Sequence, residues 1–369
     1  FFMVIILSFE AYVASEDGEQ RMGENNHGIM FQIMGYIYVV FPLAFYYSVS
    51  KGHLIGQILN DMHSFSVQVL RGGGDLPSRK TCRAIGAVLL ILCMSKGLHY
   101  VVIGWCEEYP MDWDDFPSLL KYLGNAGVKH YRGTVCTVYY ADTNCRTNLQ
   151  AGNGTYEIPL SLTILSGTLL MWLKFNHTMY WILAYLVIIQ WSLGFCILIR
   201  RFFKLIVLTS SRNTLKDIGC FNELTSVIQK FNEVFGWTVL FCVLTGVAHF
   251  SVEIIQLHYT NYQGIHKQII VWSMFFIFSG QLVVASHVNH DAYQVVEVFK
   301  TRFQNEIFWK KHHGPCVKTT QGILMVFHDL QTAYVGIHGY KFFTITYGFI
   351  GTVASVISTY AVVVAQCKN

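Results

Sequence analysis

The sequence predicts an all-α membrane protein of seven transmembrane helices, with the N-terminus cytoplasmic and the C-terminus extracellular. Three observations predict it. Of 369 residues, 53% are hydrophobic and only 13% are charged. Ordinary domains carry roughly 25% charge, and a soluble fold with so little would leave large apolar patches in water. The apolar residues gather into stretches of about 20, the length that crosses the hydrocarbon layer. The Lys and Arg residues are distributed unevenly between the connecting segments, which orients the spans. The composition also excludes other classes. Ten cysteines are too few for a disulfide scaffold. Six prolines and the lack of a low-complexity tract argue against a disordered chain. A net charge of +4 without a dense basic run offers no nucleic-acid surface.

The elements follow in order. Residues 1–13 are apolar but cover only about 20 Å as helix. They are read as the outer end of a first span that begins before Phe1. A signal-peptide core is the other reading, but no basic stretch precedes it. Six full spans follow, at residues 29–49, 83–106, 179–199, 235–257, 268–288 and 342–366. The fourth of the seven ends at Arg200-Arg201, the fifth contains one acid, Glu253, and the last contains no charge. Residues 158–173 are apolar but short, and are expected to form a helix lying against the outer side of the bundle, with an eighth span as the alternative.

Charge gives the orientation. The segments 50–83, 200–234 and 291–340 hold sixteen of the 26 Lys and Arg, whereas 14–28, 107–178 and 258–267 hold seven. The first group is therefore cytoplasmic. The organisation is four spans over 1–199 with a large outer loop at 107–178, a cytoplasmic helical region at 200–234, spans five and six over 235–290, a second cytoplasmic helical region at 291–341, and a final span within 342–369. Both glycosylation sequons, at Asn153 and Asn176, fall outside. So do Cys106, Cys136 and Cys145, of which two can pair in an oxidising exterior; Cys136 with Cys145 is favoured, although spacing alone does not decide it.

The last span carries small residues at Gly348, Gly351, Ser355, Ser358 and Ala365, along one helical face. Such a stripe lets helices approach closely in lipid, or lines a water path if several copies meet at an axis. It ends Thr359-Tyr360, five apolar residues, then Gln366-Cys367. This resembles the final-span signature of insect gustatory receptors, in which Thr-Tyr and five hydrophobic residues precede Gln-Phe. The chain departs at Cys367. Phe231-Asn232-Glu233-Val234-Phe235-Gly236 is similar to that family's approach to its fifth span. Residues 339–346, together with Trp181 and Arg201-Phe202, are similar to its sugar-receptor branch, although Ala361 stands where that branch usually has Glu.

The resemblance implies a taste receptor in the plasma membrane of chemosensory neurons. It would be a ligand-gated, nonselective cation channel, a homotetramer or a heteromer with related subunits, whose seventh helices line one pore. It places the gate at Gln366 and Cys367, with Val363, Ser355 and Ser358 along the pore and Thr359 and Tyr360 packing the helix. Cys is smaller than the family Phe, so Val363 or Val364 is expected to contribute to closure. A hydrophobic ring closes a narrow pore by dewetting, and an amide rotated inward wets it.

Sugars are bound by aromatic faces with amides and carboxylates on the hydroxyls. The outer halves of the spans supply His99, Tyr100, Trp181, Tyr185, His249, Glu253, Gln256 and Trp272. An acid within a span faces a cavity or a partner, and Glu253 lies one turn from His249. Trp181 equally suits the aromatic belt at the membrane surface. A sugar is the favoured ligand; an odorant-type channel of the same fold and a metabotropic seven-span receptor are the alternatives. His287-x-x-His290-Asp291 has metal-capable side chains but no evident fourth ligand, so polar contacts at a helix end are expected and no metal. No hydrolase, zinc-protease or phosphate-loop motif is present, so neither enzyme activity nor a cofactor is expected.

Overall fold

The computed structural model describes residues 40–69, 160–208, 214–259, 265–310 and 335–367. The described elements are α1 (Val40–Ser50), α2 (Gly52–Val69), α3 (Leu160–Leu208), α4 (Thr214–Tyr259), α5 (Ile265–Lys310), β1 (His338–Gly339), β2 (Phe343–Thr344) and α6 (Tyr347–Cys367). Three helical segments among them are long and apolar enough to cross a membrane: Met179–Leu208, Lys216–Ser251 and Val271–Arg302. Val40–Ser50 and Tyr347–Val363 are shorter apolar helices.

The chain divides into two compact units, residues 1–43 with 83–183 and residues 44–82 with 184–369. Of the first, residues 40–43 and 160–183 are described, with Phe41, Trp181 and Ile182 buried. The remaining elements belong to the second.

Helices α3, α4 and α5 have 49, 46 and 46 residues. At about 1.5 Å per residue each runs about 70 Å, more than twice the hydrocarbon thickness of about 30 Å. The sequence of α4 explains how one rod serves two solvents. Residues 214–234 carry Lys216, Asp217, Glu223, Lys230 and Glu233, whereas 235–251 carry no charge. In the charged half, Ile218, Phe221, Leu224, Ile228 and Phe231 are buried on one face while Lys216, Glu223, Lys230 and Glu233 are exposed. That is the amphipathic period of a water-facing helix. The helical regions expected at 200–234 and 291–341 thus run on unbroken from the apolar halves over 214–259 and 265–310, which a hydropathy count alone does not register. Gly52–Val69 is helix, separated from α1 only by a turn at Lys51, whose N–H donates to Ser48 O at 3.2 Å.

Two expectations are corrected by α3. Residues 160–173 are the first turns of the same helix that contains the fourth span, not a separate helix lying on the bundle. Asn176 therefore stands inside a helix rather than in the outer loop drawn to residue 178.

Aromatic layers fill the second unit. Trp191, Phe195, Phe231 and Phe235 pack at centroid distances of 5.0–6.4 Å. Phe202, Phe221 and Phe299 form a second layer at 6.0–6.4 Å, with Phe65 of α2 at 6.0 Å from Phe202. Tyr185, Phe250 and Phe278 form a third. Ridges of this size need small partners: a Cβ added at Gly246 would lie 2.3 Å from the Phe278 ring.

Polar ties connect the helices. Ser48 Oγ lies 2.8 Å from Val234 O and 2.7 Å from Thr238 Oγ1, and so joins α1 to α4. Lys230 and Asp61 pair at 2.7 Å between α4 and α2. Arg302 of α5 donates to Ile206 O in the last turn of α3 and lies 3.5 Å from the buried Asp217 in the first turn of α4. It thereby supplies both a donor to the unpaired carbonyls of a helix end and a charge partner for a buried acid.

Candidate functional site

Helix α6 and the segment that leads into it are the candidate site. Residues 335–346 make a small antiparallel hairpin, with His338 opposite Thr344 and Gly339 opposite Phe343. Phe342 N–H donates to Gly339 O at 3.1 Å and Ile345 N–H to Ile337 O at 2.9 Å. Tyr340, at the start of the turn, has a φ of 53°. This is the left-handed region, which costs a non-glycine residue about 1–2 kcal/mol. The surroundings hold it there: its ring stacks on Trp237 of α4 at 4.3 Å. A Cβ added at Gly236, one residue earlier in α4, would come within 3.0 Å of Tyr340 Cα, so glycine is what lets the hairpin backbone touch the helix.

Two amides anchor the incoming strand. Asn232 Nδ2 donates to Gly336 O at 2.9 Å, and Asn232 Oδ1 accepts from His338 N–H at 3.0 Å. Asn289 Nδ2 of α5 donates to Val335 O at 2.9 Å. On the outgoing side Thr346 is the N-cap of α6: its Oγ1 accepts from Phe349 N–H at 3.1 Å. Phe343 stacks on Phe349 at 4.4 Å.

The first residue of α6 is tied to α5. Tyr347 Oη lies 2.8 Å from His287 Nδ1, and its ring meets His290 edge-on at 5.7 Å. Asp291, almost fully buried, accepts from Arg200 Nε at 2.7 Å, and Arg200 Nη2 lies 3.5 Å from His287 Nδ1. The His287, His290 and Asp291 triad is thus occupied by Tyr347, Gln294 and Arg200. These are polar contacts, but they lie in the middle of α5 rather than at the helix end that the sequence predicts, because α5 continues unbroken to Lys310.

Above this foot, α6 presents few side chains to its own protomer. Val353 and Ile357 are buried, whereas Gly351, Thr352, Ser355, Ser358, Thr359, Val362, Val363 and Gln366 are exposed and Tyr360 is half-buried. Cys367 ends the helix backbone, and its side chain lies outside the described residues. Thr359, for which a packing role is expected, is exposed among the described residues.

Four of the expected ligand residues, Trp181, Tyr185, His249 and Trp272, are described with their side chains. His99 and Tyr100 lie outside the described residues, as do the side chains of Glu253 and Gln256 within α4. Trp181 is buried in the first unit. Tyr185 is fully buried, donates to Cys242 O at 3.0 Å and meets Phe278 edge-on at 6.2 Å. His249 packs edge-on against Phe250 at 5.0 Å. Tyr185 and His249 therefore border one aromatic layer. Trp272 is 49% exposed and sits beside Phe275 and Phe276. Asn153, Cys136 and Cys145 lie outside the described residues. Sequence reasoning missed Asn289 and Trp237, and took Tyr340 only as part of a resemblance over residues 339–346. The signal for Trp237 was the glycine one step before it; Asn289, within His287-Val288-Asn289-His290-Asp291, had none that set it apart from its polar neighbours.

No protein-family model matches the chain, nor does any curated protein sequence. Among solved structures it is similar to the insect olfactory receptor OR5 from Machilis hrabei, with a TM-score of 0.49 and 10% identity over 99% of this chain and 88% of that one. The same receptor in complex with eugenol gives a TM-score of 0.45 and 11% identity over 98% and 88%.

Proposed function

We propose that the chain is a subunit of a ligand-gated, nonselective cation channel of the insect chemoreceptor type. In this reading it is a multi-pass plasma-membrane taste receptor, opened by an extracellular small molecule, with a sugar favoured. Four copies bring α6 to a common axis, with Ser355, Ser358 and Val363 along the conduit and Gln366 and Cys367 at its outer end.

The observation that carries this is the exposed face of α6. A helix that meets lipid alone is best covered by Leu, Ile and Phe. This one exposes Gly351, Thr352, Ser355, Ser358, Thr359 and Gln366, together with Val356, Val362 and Val363, and among its described residues from 351 onward it buries only Val353 and Ile357. Small and hydroxylated side chains on an apolar rod suit close contact with another copy, or water, better than lipid. The seventh-span signature ending at Gln366 supports the same assignment.

The energetic demand is modest. Shifting a channel from 1:99 to 99:1 open takes about 5.5 kcal/mol of differential ligand affinity, or about 1.4 kcal/mol from each of four sites. The test is whole-cell recording from cells that carry the protein at their surface, alone and with related receptor subunits, while panels of sugars and bitter compounds are applied. A ligand-evoked cation current is expected. Surface expression with no evoked current in either setting would overturn the proposal.

A further inference from the structure

We infer that Asn232, with the hairpin of residues 336–344 that it holds, is a positioning device that fastens the foot of α6 to α4, so that a displacement of α4 relative to α5 is delivered to the last helix. The attachment is double-sided. On α4, one amide both donates to Gly336 O and accepts from His338 N–H, and both bonds are near 3.0 Å. Beside it, Gly236 admits the hairpin backbone to contact distance and Trp237 stacks on Tyr340 at 4.3 Å. On α5, Asn289 holds Val335 O and His287 holds the Tyr347 hydroxyl. Between these anchors only the hairpin and the Thr346 cap intervene before α6 begins.

Hairpins of two-residue strands are marginal by themselves. This one persists because α4 supplies what the strands lack: partners for backbone groups and a surface for the strained Tyr340 turn. A loose connection absorbs motion, whereas a connection pinned at both ends transmits it. Nothing in the arrangement requires Asn232 for the folding of α4, where it is a single half-buried side chain on a long rod.

The effect on gating rests on the reading of α6 as pore-lining; the mechanical attachment does not. The test therefore has two arms on the full-length protein. In the first, hydrogen–deuterium exchange is followed in lipid nanodiscs for wild type, Asn232→Ala and Asn232→Asp. Asn232→Ala is expected to speed exchange at His338 about tenfold, with the increase extending into residues 345–350. Asn232→Asp keeps the acceptor for His338 N–H and loses the donor to Gly336 O, and falls between. Uptake in residues 345–350 that is unchanged by Asn232→Ala overturns the attachment. If that variant does not fold, Trp237→Leu tests the same dock from its other contact with the same expected result.

In the second arm, Asn232→Ala raises the half-maximal ligand concentration and lowers the maximal open fraction at unchanged single-channel conductance, with partial rescue by Asn232→Asp. A merely structural defect would scale the current with surface expression and leave the half-maximal concentration in place, and that result overturns the transmission role. If the wild type conducts under no ligand, the channel reading falls, and exchange at residues 345–350 alone decides the attachment.

Discussion

Gln281 lies in α5 with its side chain fully buried, and neither its Nε2 nor its Oε1 has a hydrogen-bond partner among the described residues. A buried unpaired amide costs about 1–3 kcal/mol. Gln281→Met keeps the volume and removes both polar atoms, so the variant should gain about 1–2 kcal/mol, read as a higher midpoint in thermal unfolding followed by size-exclusion chromatography. Arg200 is the opposite case. It is 55% exposed, but its partner Asp291 is only 7% exposed. Arg200→Met strands a buried carboxylate, and a loss of about 1–3 kcal/mol is expected in the same assay. Asp291→Asn in that background should recover most of the loss, because the stranded charge rather than the missing contact is what costs. At Gly246 the governing quantity is space. Gly246→Ala drives a methyl into the Phe278 ring, and Phe278→Leu in the same chain should relieve the clash. An additive pair in a double-mutant cycle would rule this out.

At the scale of elements, α4 acts as two helices in series, and each half obeys its own solvent. Phe231 is buried among Trp191, Phe195 and Phe235, so Phe231→Ala should cost about 3–5 kcal/mol. The exposed neighbour Glu233→Ala should stay within about 0.5 kcal/mol. The same contrast marks what could be read in advance. The apolar halves of α3, α4 and α5 were legible because about 20 uncharged residues have one explanation in a membrane protein. Helical regions were expected at 200–234 and 291–341, but that they run on unbroken from the apolar halves over 214–259 and 265–310 was not, because a charged amphipathic half and a polar loop look alike to a hydropathy count. Residues 160–173 were set apart from the helix they begin on different grounds: they are apolar but short, and Lys174 to Thr178 interrupt the run. The hairpin was illegible for another reason. Strands of two residues leave no alternating pattern, and the Tyr340 turn lacks the Gly or Asn that ordinarily announces a left-handed residue. Asn232 and His338 meet across 106 positions, a distance no local pattern spans. The exposed face of α6 was foreshadowed by its small residues. The setting of Tyr185 was not, because no spacing reveals its burial or its carbonyl partner.

For the whole molecule, orientation and assembly can be tested together. The charged parts of the three long helices are the end of α3 at Arg200, Arg201 and Lys204, the first half of α4, and the second half of α5 from Asp291 onward. Because α4 is reversed in sense relative to the other two in this pattern, its charge comes first where theirs comes last. All three charged halves are therefore expected on one side of the membrane, and the Lys and Arg excess predicts that this side is cytoplasmic. The same prediction puts the far end of α6 outside the cell. A tag placed after Asn369 should be reached by antibody on intact cells, whereas one inserted between α3 and α4 should be reached only after permeabilisation. The reverse pattern would exclude an inverted seven-span receptor. Assembly makes a demand on the same helix. If the exposed Ser355 and Ser358 border an aqueous path, Ser355→Cys and Ser358→Cys should react with a charged, membrane-impermeant thiol reagent, faster in the presence of an activating ligand, and the reaction should block current. Val356→Cys, on a different face of the helix, is also exposed in the single protomer and serves as the control. Equal reactivity at positions 355, 356 and 358 would mean that α6 does not face one shared conduit.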